Sequence, residues 1–152
     1  MDIMKILDEF TGEKNNDMRI LHFEDNTTKY MAIHSVVQSL GIEDITWVES
    51  VEEGLEHLKD TTSSYDMILS DMHFPITKLG KPEWEAGDRV IQEVKKRGLE
   101  IPVIIISSAQ MRVDGAYAAI WYSESRDWES ELRKCLQSAI DLAERLYNTE
   151  DV

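Results

Sequence analysis

The chain has 152 residues, with 30 acidic and 16 basic side chains and a formal net charge of −14. This length predicts one domain that is large enough to form its core without disulfides. The single cysteine excludes an internal disulfide, so we expect a reducing compartment, the cytoplasm. The negative charge opposes binding to nucleic acid or to an anionic membrane surface, and no apolar run approaches the roughly 20 residues of a membrane span.

The segment 1–18 precedes the predicted core. Ile3, Ile6, Leu7 and Phe10 follow helical spacing, and the polar run 11–17 separates them from the first strand. This pattern fits either a short amphipathic helix or a frayed extension.

Short apolar runs alternate with helical patterns along the rest of the chain. The runs that predict buried strands are Arg19–Phe23, Asp44–Glu49, Met67–Leu69 with Asp71 at its end, Pro102–Ser107 and Tyr117–Tyr122. The helical patterns follow Asn26 or Thr27, the Ser50 and Glu53 capping pair, Gly87, and Ser125. A stripe of Ile33, Val36, Val37 and Leu40 marks the buried face of the first helix, which Gly41 ends.

Five strands alternating with helices predict an α/β fold with a doubly wound parallel sheet. We expect one domain over residues 19–148 and a short tail over 149–152. The segment 108–115 leaves room for only a turn or two of helix between the fourth and fifth strands. The expected architecture is therefore flavodoxin-like, with strand order 2-1-3-4-5 and a shortened fourth helix.

Acidic side chains end two of the predicted strands. Glu24 and Asp25 follow the first strand, and Asp71 follows the third. Asp71 alone would suit a turn or a helix cap. In this strand order, however, the crevice lies between strands one and three, so three carboxylates should converge there. Such a cluster is costly unless one carboxylate is protonated or a cation bridges them, and Mg²⁺ prefers oxygen ligands of this kind.

Three motifs resemble the receiver domain of two-component response regulators: ILHFEDN, SDMHFP and PVIIISS. The resemblance covers residues 19–147. It implies that Asp71 accepts a phosphoryl group, while Asp25, Asp71 and the carbonyl of His73 bind Mg²⁺ with Glu24 acting directly or through water. It also implies that the hydroxyl of Ser107 bonds a phosphoryl oxygen.

The chain departs from the family's pattern at the end of the fifth strand. Receivers usually carry a lysine there, followed by proline, whereas this chain has Tyr122 and Ser123. From their place in the sequence, Lys78, Lys81 or Arg89 could supply the missing cation. Ala119 occupies the position of the family's switch aromatic. A shifted register could place Trp121 or Tyr122 there, but the simpler interpretation of Trp121 is a core residue.

The segment 76–86 is longer than most connections in compact domains, which indicates a functional loop. Leu79, Pro82 and Trp84 could contact a partner or cover the site. The simpler interpretation is a surface excursion with Trp84 packed against the third helix.

The resemblance implies a stand-alone signalling receiver rather than an enzyme. Its phosphoryl donor would be a histidine kinase or a phosphotransfer protein, and its output would pass through protein contacts, without nucleic acid or membrane. The sequence does not decide whether the protein forms a homodimer. One alternative is a pseudo-receiver that binds partners without phosphorylation. A second is a phosphatase or phosphotransferase, for which His73 is the one candidate acid or base, and we rank it last.

Overall fold

The computed structural model describes residues 17–59 and 64–150, with side chains described as far as residue 146. Most of the predicted extension 1–18 lies outside the described residues. Strands and helices are numbered here in chain order. The strands are β1 Arg19–Phe23, β2 Asp44–Val48, β3 Met67–Ser70, β4 Phe74–Pro75, β5 Pro82–Glu83, β6 Val103–Ser107 and β7 Ala118–Trp121. The helices are α1 Thr27–Ser39, α2 Val51–Leu58, α3 Ala86–Lys96 and α4 Trp128–Glu150.

Five of the strands form one sheet in the order β2-β1-β3-β6-β7, and every neighbouring pair is parallel. Since β6 and β7 are the predicted fourth and fifth strands, the expected order 2-1-3-4-5 is confirmed. The central strand β3 and its neighbour β6 are buried along their whole length. This burial explains why both read as unbroken apolar runs.

Apolar layers cover both faces of the sheet. Successive residues of β1 point to opposite faces, so Ile20 packs with α1 and α4 residues such as Ile33 and Leu132, whereas Leu21 packs with α3 residues such as Val90. No helix among the described residues is long and apolar enough to cross a membrane.

Predicted caps begin the first two helices. The side chain of Asn26 accepts a hydrogen bond from the backbone N–H of Lys29 at 2.8 Å, and Ser50 accepts one from Glu53 at 3.2 Å. Gly41 follows α1 with a φ of +81°, a conformation that glycine adopts without strain.

The segment 108–117 differs from the prediction, because it forms no helix at all. Its apolar residues Met111, Val113 and Ala116 instead pack against the α2 and α3 side of the core as an irregular connection. The chain between β6 and β7 is too short to cover this face and also complete a helix.

The long loop after Asp71 is ordered as a small hairpin. Strands β4 and β5 pair antiparallel, with Phe74 opposite Glu83 and Pro75 opposite Pro82. Phe74 is fully buried, while Leu79 at the hairpin tip is fully exposed. Trp84 is 70% exposed, so the interpretation that it packs against α3 was wrong.

Candidate functional site

Three carboxylates meet at the carboxyl edge of the sheet. Glu24 and Asp25 follow β1, Asp71 follows β3, and one oxygen from each lies within 4.8 Å of the others. The backbone N–H of Asp71 donates to the carbonyl of Phe23 at 3.0 Å, so the pairing of β1 with β3 continues into the cluster. The predicted convergence of these side chains on one crevice is therefore present.

Backbone and side-chain bonds fix Glu24, which is fully buried. Its N–H donates to the carbonyl of Val48 at 2.9 Å, and its own carbonyl accepts from the indole of Trp47 at 2.7 Å. The carboxylate oxygen Oε2 accepts from the N–H of Asn26 at 3.2 Å. Strand β2 and the start of α1 thus hold the first acid of the cluster in one orientation.

The cation beside these acids is Lys29, in the first turn of α1. Its Nζ lies 3.0 Å from Oε1 of Glu24, 3.0 Å from Oδ1 of Asp71 and 2.6 Å from the carbonyl oxygen of Ile106. The residue is 5% exposed. Since buried ammonium groups require such partners, this lysine forms an integral part of the site.

Lys29 corrects the prediction that Lys78, Lys81 or Arg89 supplies the cation. Lys78 and Lys81 are exposed on the hairpin, and the side chain of Arg89 pairs with Glu93 at 3.4 Å. A signal for Lys29 was present in the sequence, because it lies four residues before Ile33 and extends the buried stripe of α1. A charged residue on a buried stripe needs a buried partner.

Burial raises the pKa of Glu24 to about 7. The ammonium of Lys29 opposes this rise and the charge of Asp71 adds to it. Oε1 of Glu24 is buried without a hydrogen bond, because its contact with Lys29 has the distance of an ion pair but not hydrogen-bond geometry. A buried carboxylate oxygen with spare acceptor capacity, beside two further carboxylates, fits a hard cation such as Mg²⁺.

The two oxygens of Asp71 have different surroundings. Oδ1 accepts from the N–H of Met72 at 2.7 Å and pairs with Lys29, while Oδ2 has no partner among the described residues. The side chain is 13% exposed. Asp71 is thus anchored through one oxygen, and the other keeps its lone pairs for chemistry.

A pocket of about 280 Å³ opens beside this carboxylate, lined by Asp71, His73, Trp84, Ser107, Ser108 and Ala109. Ser107 lies at the end of β6, and its Oγ accepts from the N–H of Ala109 at 3.2 Å. The rings of His73 and Trp84 meet at the mouth, with centroids 4.7 Å apart. The pocket brings the predicted hydroxyl and carboxylate to one space.

The end of β7 carries aromatic rings. The N–H of Tyr122 donates to the carbonyl of Ser107 at 2.7 Å, and its ring lies 5.6 Å from Nζ of Lys29. Trp121 is half-buried and donates its indole N–H to the carbonyl of Ser108 at 3.1 Å, so its interpretation as a core residue was wrong. Ala119 is exposed and places no aromatic ring there.

The sequence matches no family model and no curated protein. Solved structures do match. The signal receiver domain of a putative LuxO repressor protein from Vibrio parahaemolyticus aligns with a TM-score of 0.68 and 18% identity, covering 88% of this chain and 97% of that one. The chain has the receiver-domain fold.

Two further receiver structures support this assignment of the fold. A response regulator receiver domain protein from Clostridium thermocellum aligns with a TM-score of 0.63 and 23% identity, over 85% of this chain and 98% of that one. The receiver domain of a sensor histidine kinase from Pseudomonas aeruginosa was solved with magnesium in its active-site cleft. It aligns with a TM-score of 0.62 and 22% identity, over 82% of this chain and 98% of that one.

Proposed function

We propose that this protein is a signalling receiver that takes a phosphoryl group on Asp71. The observation that carries the proposal is the placement of Asp71, between the Glu24 and Asp25 carboxylates on one side and the pocket with the Ser107 hydroxyl on the other. A nucleophilic carboxylate, a cation site and a hydroxyl donor around one space are the parts that phosphoryl acceptance requires.

The reaction forms one bond and breaks one. Oδ2 of Asp71 bonds to phosphorus as the bond between phosphorus and the donor's leaving atom breaks, and that atom keeps the electron pair. With a phosphohistidine donor, the leaving atom is an imidazole nitrogen, which leaves a neutral or protonated ring according to pH. The product on this chain is an acyl phosphate.

Glu24, Asp25, Asp71 and the backbone carbonyl of His73 would hold Mg²⁺ in this proposal. A bound Mg²⁺ neutralises negative charge on the phosphoryl oxygens. The chain's own groups do the positioning: Met72 and Lys29 hold Oδ1 of Asp71, and the Ser107 hydroxyl at the pocket wall donates to a phosphoryl oxygen. Phosphorylation would then shift the conformational equilibrium of the irregular segment 108–117 that follows Ser107.

The partners follow from this chemistry. A histidine kinase or a phosphotransfer protein would supply the phosphoryl group, and an output protein would recognise the phosphorylated surface. The role is signalling rather than catalytic turnover. One matched structure is a DNA-binding response regulator of the LuxR family from Staphylococcus aureus, and another is the signal receiver domain of an HD domain-containing protein from Pseudomonas fluorescens, so this fold serves outputs of different kinds.

The test is intact mass after incubation with a small phosphoryl donor such as acetyl phosphate, with and without Mg²⁺. The wild type should gain the mass of one phosphoryl group when Mg²⁺ is present, and Asp71→Asn should gain none. The matched control is Asp88→Asn, which makes the same change near the start of α3 and should behave as the wild type. Equal labelling of the wild type and Asp71→Asn would refute the proposal.

A pseudo-receiver, which binds a partner without phosphorylation, is the second candidate. Two observations favour it: the ammonium of Lys29 already bridges Glu24 and Asp71, and the segment 108–117 has no helix. This candidate predicts no labelling of the wild type by a small donor or by phosphohistidine, together with tryptophan fluorescence that Mg²⁺ leaves unchanged.

A further inference from the structure

The ammonium of Lys29 occupies the centre of the site. It reaches the ends of three neighbouring strands, contacting Glu24 after β1, Asp71 after β3 and the carbonyl of Ile106 in β6. The contact with the Ile106 carbonyl is a hydrogen bond, and the contacts with the two carboxylates are ion pairs. The side chain is therefore fixed at its tip as well as by the packing of α1.

The residue at the end of the last sheet strand cannot do the same. Tyr122 presents a ring, and this ring covers the ammonium at 5.6 Å instead of replacing it. Among the described residues, Lys29 is the cation that contacts Asp71. The positive charge at this carboxylate thus comes from the first helix.

We propose that Lys29 is the fixed cation of the site. Its ammonium holds Oδ1 of Asp71 so that Oδ2 faces the incoming phosphorus, and it competes with Mg²⁺ for the Glu24 and Asp71 carboxylates. The positioning of Asp71 for phosphorylation rests on the proposed function. The competition between Lys29 and Mg²⁺ rests on the geometry of the cluster alone.

The contacts of the Lys29 ammonium can also stabilise the phosphorylated state. Once Oδ2 is bonded to phosphorus, Oδ1 becomes the carbonyl oxygen of the acyl phosphate, which carries less negative charge and is a weaker acceptor. One donor of the ammonium can then turn to a phosphoryl oxygen, while Glu24 and the Ile106 carbonyl keep the lysine in place. No proton is transferred in this step.

The test removes the charge and measures two quantities. In Lys29→Gln the amide can still donate to the Ile106 carbonyl, but the positive charge is gone. Mg²⁺ affinity, measured by calorimetry, should rise roughly tenfold, because an ammonium 3.0 Å from two metal ligands no longer repels the metal. Labelling at saturating Mg²⁺ should slow at least tenfold.

Matched variants exclude a general structural effect. Lys59→Gln removes a lysine that is 66% exposed and should leave both quantities unchanged. Lys29→Gln/Tyr122→Lys returns an ammonium from the end of β7, which lies beside the original one, and should restore the labelling rate and lower the Mg²⁺ affinity again. Lys29→Met serves as a second neutral variant if the glutamine does not fold.

A damaged site would weaken Mg²⁺ binding and labelling together, so only opposite changes support the proposal. Lower or unchanged Mg²⁺ affinity in the neutral variant would overturn it. If the wild type takes no phosphoryl group, the proposed function fails, but the Mg²⁺ titration still decides the competition. A wild type that binds no Mg²⁺ would support the inference if Lys29→Gln gains binding, and overturn it if neither binds.

Discussion

The ring of Tyr122 covers the ammonium of Lys29, with Nζ 5.6 Å from the ring centroid. The two residues come from opposite ends of the fold, the last strand of the sheet and the first helix. The electron-rich face of an aromatic ring attracts a cation, and burial strengthens that attraction. The aromatic residue at the end of β7 therefore stabilises a cation supplied by α1.

We expect Tyr122→Leu to lower the free energy of unfolding by about 1 kcal/mol, because the attraction to Lys29 is lost along with ring contacts to Trp128. Urea denaturation followed by circular dichroism measures this. Tyr122→Phe keeps the ring and should stay close to the wild type. If phenylalanine costs as much as leucine, the hydroxyl rather than the ring is responsible.

The cap of α1 also positions the site. Asn26→Ala removes the acceptor for the backbone N–H of Lys29, and we expect it to cost about 1 kcal/mol of unfolding free energy. Asn26→Ser offers another capping oxygen and should recover most of that loss. Equal stability of the alanine variant and the wild type in urea would show that the cap does not hold this turn.

Gly87 lets α3 approach the strand that ends in Asp71. A Cβ at this position would lie 2.7 Å from the carbonyl oxygen of Asp71 and 2.9 Å from Cα of Met72, closer than side chains approach backbone. We expect Gly87→Ala to lower the unfolding free energy by about 1–3 kcal/mol and to slow labelling of Asp71.

The control for this prediction is Gln92→Ala, on the exposed side of the same helix, which should be nearly neutral. Helix propensity alone would make Gly87→Ala stabilising. A more stable alanine variant would therefore mean that α3 is not closely packed on the Asp71 backbone.

Burial raises the pKa of the Cys135 thiol to about 11, so little thiolate forms near neutral pH. Alkylation of the native protein should be slow at pH 8 and accelerate toward pH 11. The unfolded chain releases this proton near pH 9, before the folded one does, so stability should fall as pH rises between these values.

The comparison that isolates the thiol is Cys135→Ala, in which this part of the pH dependence of unfolding should disappear. Alkylation of the native thiol at pH 8 as fast as in denaturant would contradict the prediction.

Local patterns were sufficient to predict the sheet and its acids. The strand Val103–Ser107 is buried throughout, and it is apolar up to Ser107 because both faces of the sheet are covered. Asp71 could be placed because an acid after a buried strand lies at the sheet edge. The Asn26 and Ser50 caps were also predictable, because a cap acts within a few residues of sequence.

The features that the sequence did not predict depend on long-range contacts. Lys29 donates a hydrogen bond to the carbonyl of Ile106, which is 77 residues away in sequence. No sequence pattern near Lys29 indicates that partner. The segment 108–117 lacks a helix because its apolar residues have core contacts to make, which local propensity does not express. Trp84 and Trp121 were misjudged because large apolar residues are usually buried.

The measurement that tests the central claim most directly locates the phosphoryl group. The labelled protein is treated with borohydride, which reduces an acyl phosphate on aspartate to homoserine. The protein is then digested, and the masses of its peptides are measured by mass spectrometry. We predict homoserine at position 71 only, and only in samples that received both Mg²⁺ and a phosphoryl donor. Homoserine at position 25, a label on histidine, or reduction at position 71 without the donor would contradict the assignment of Asp71 as the phosphoacceptor.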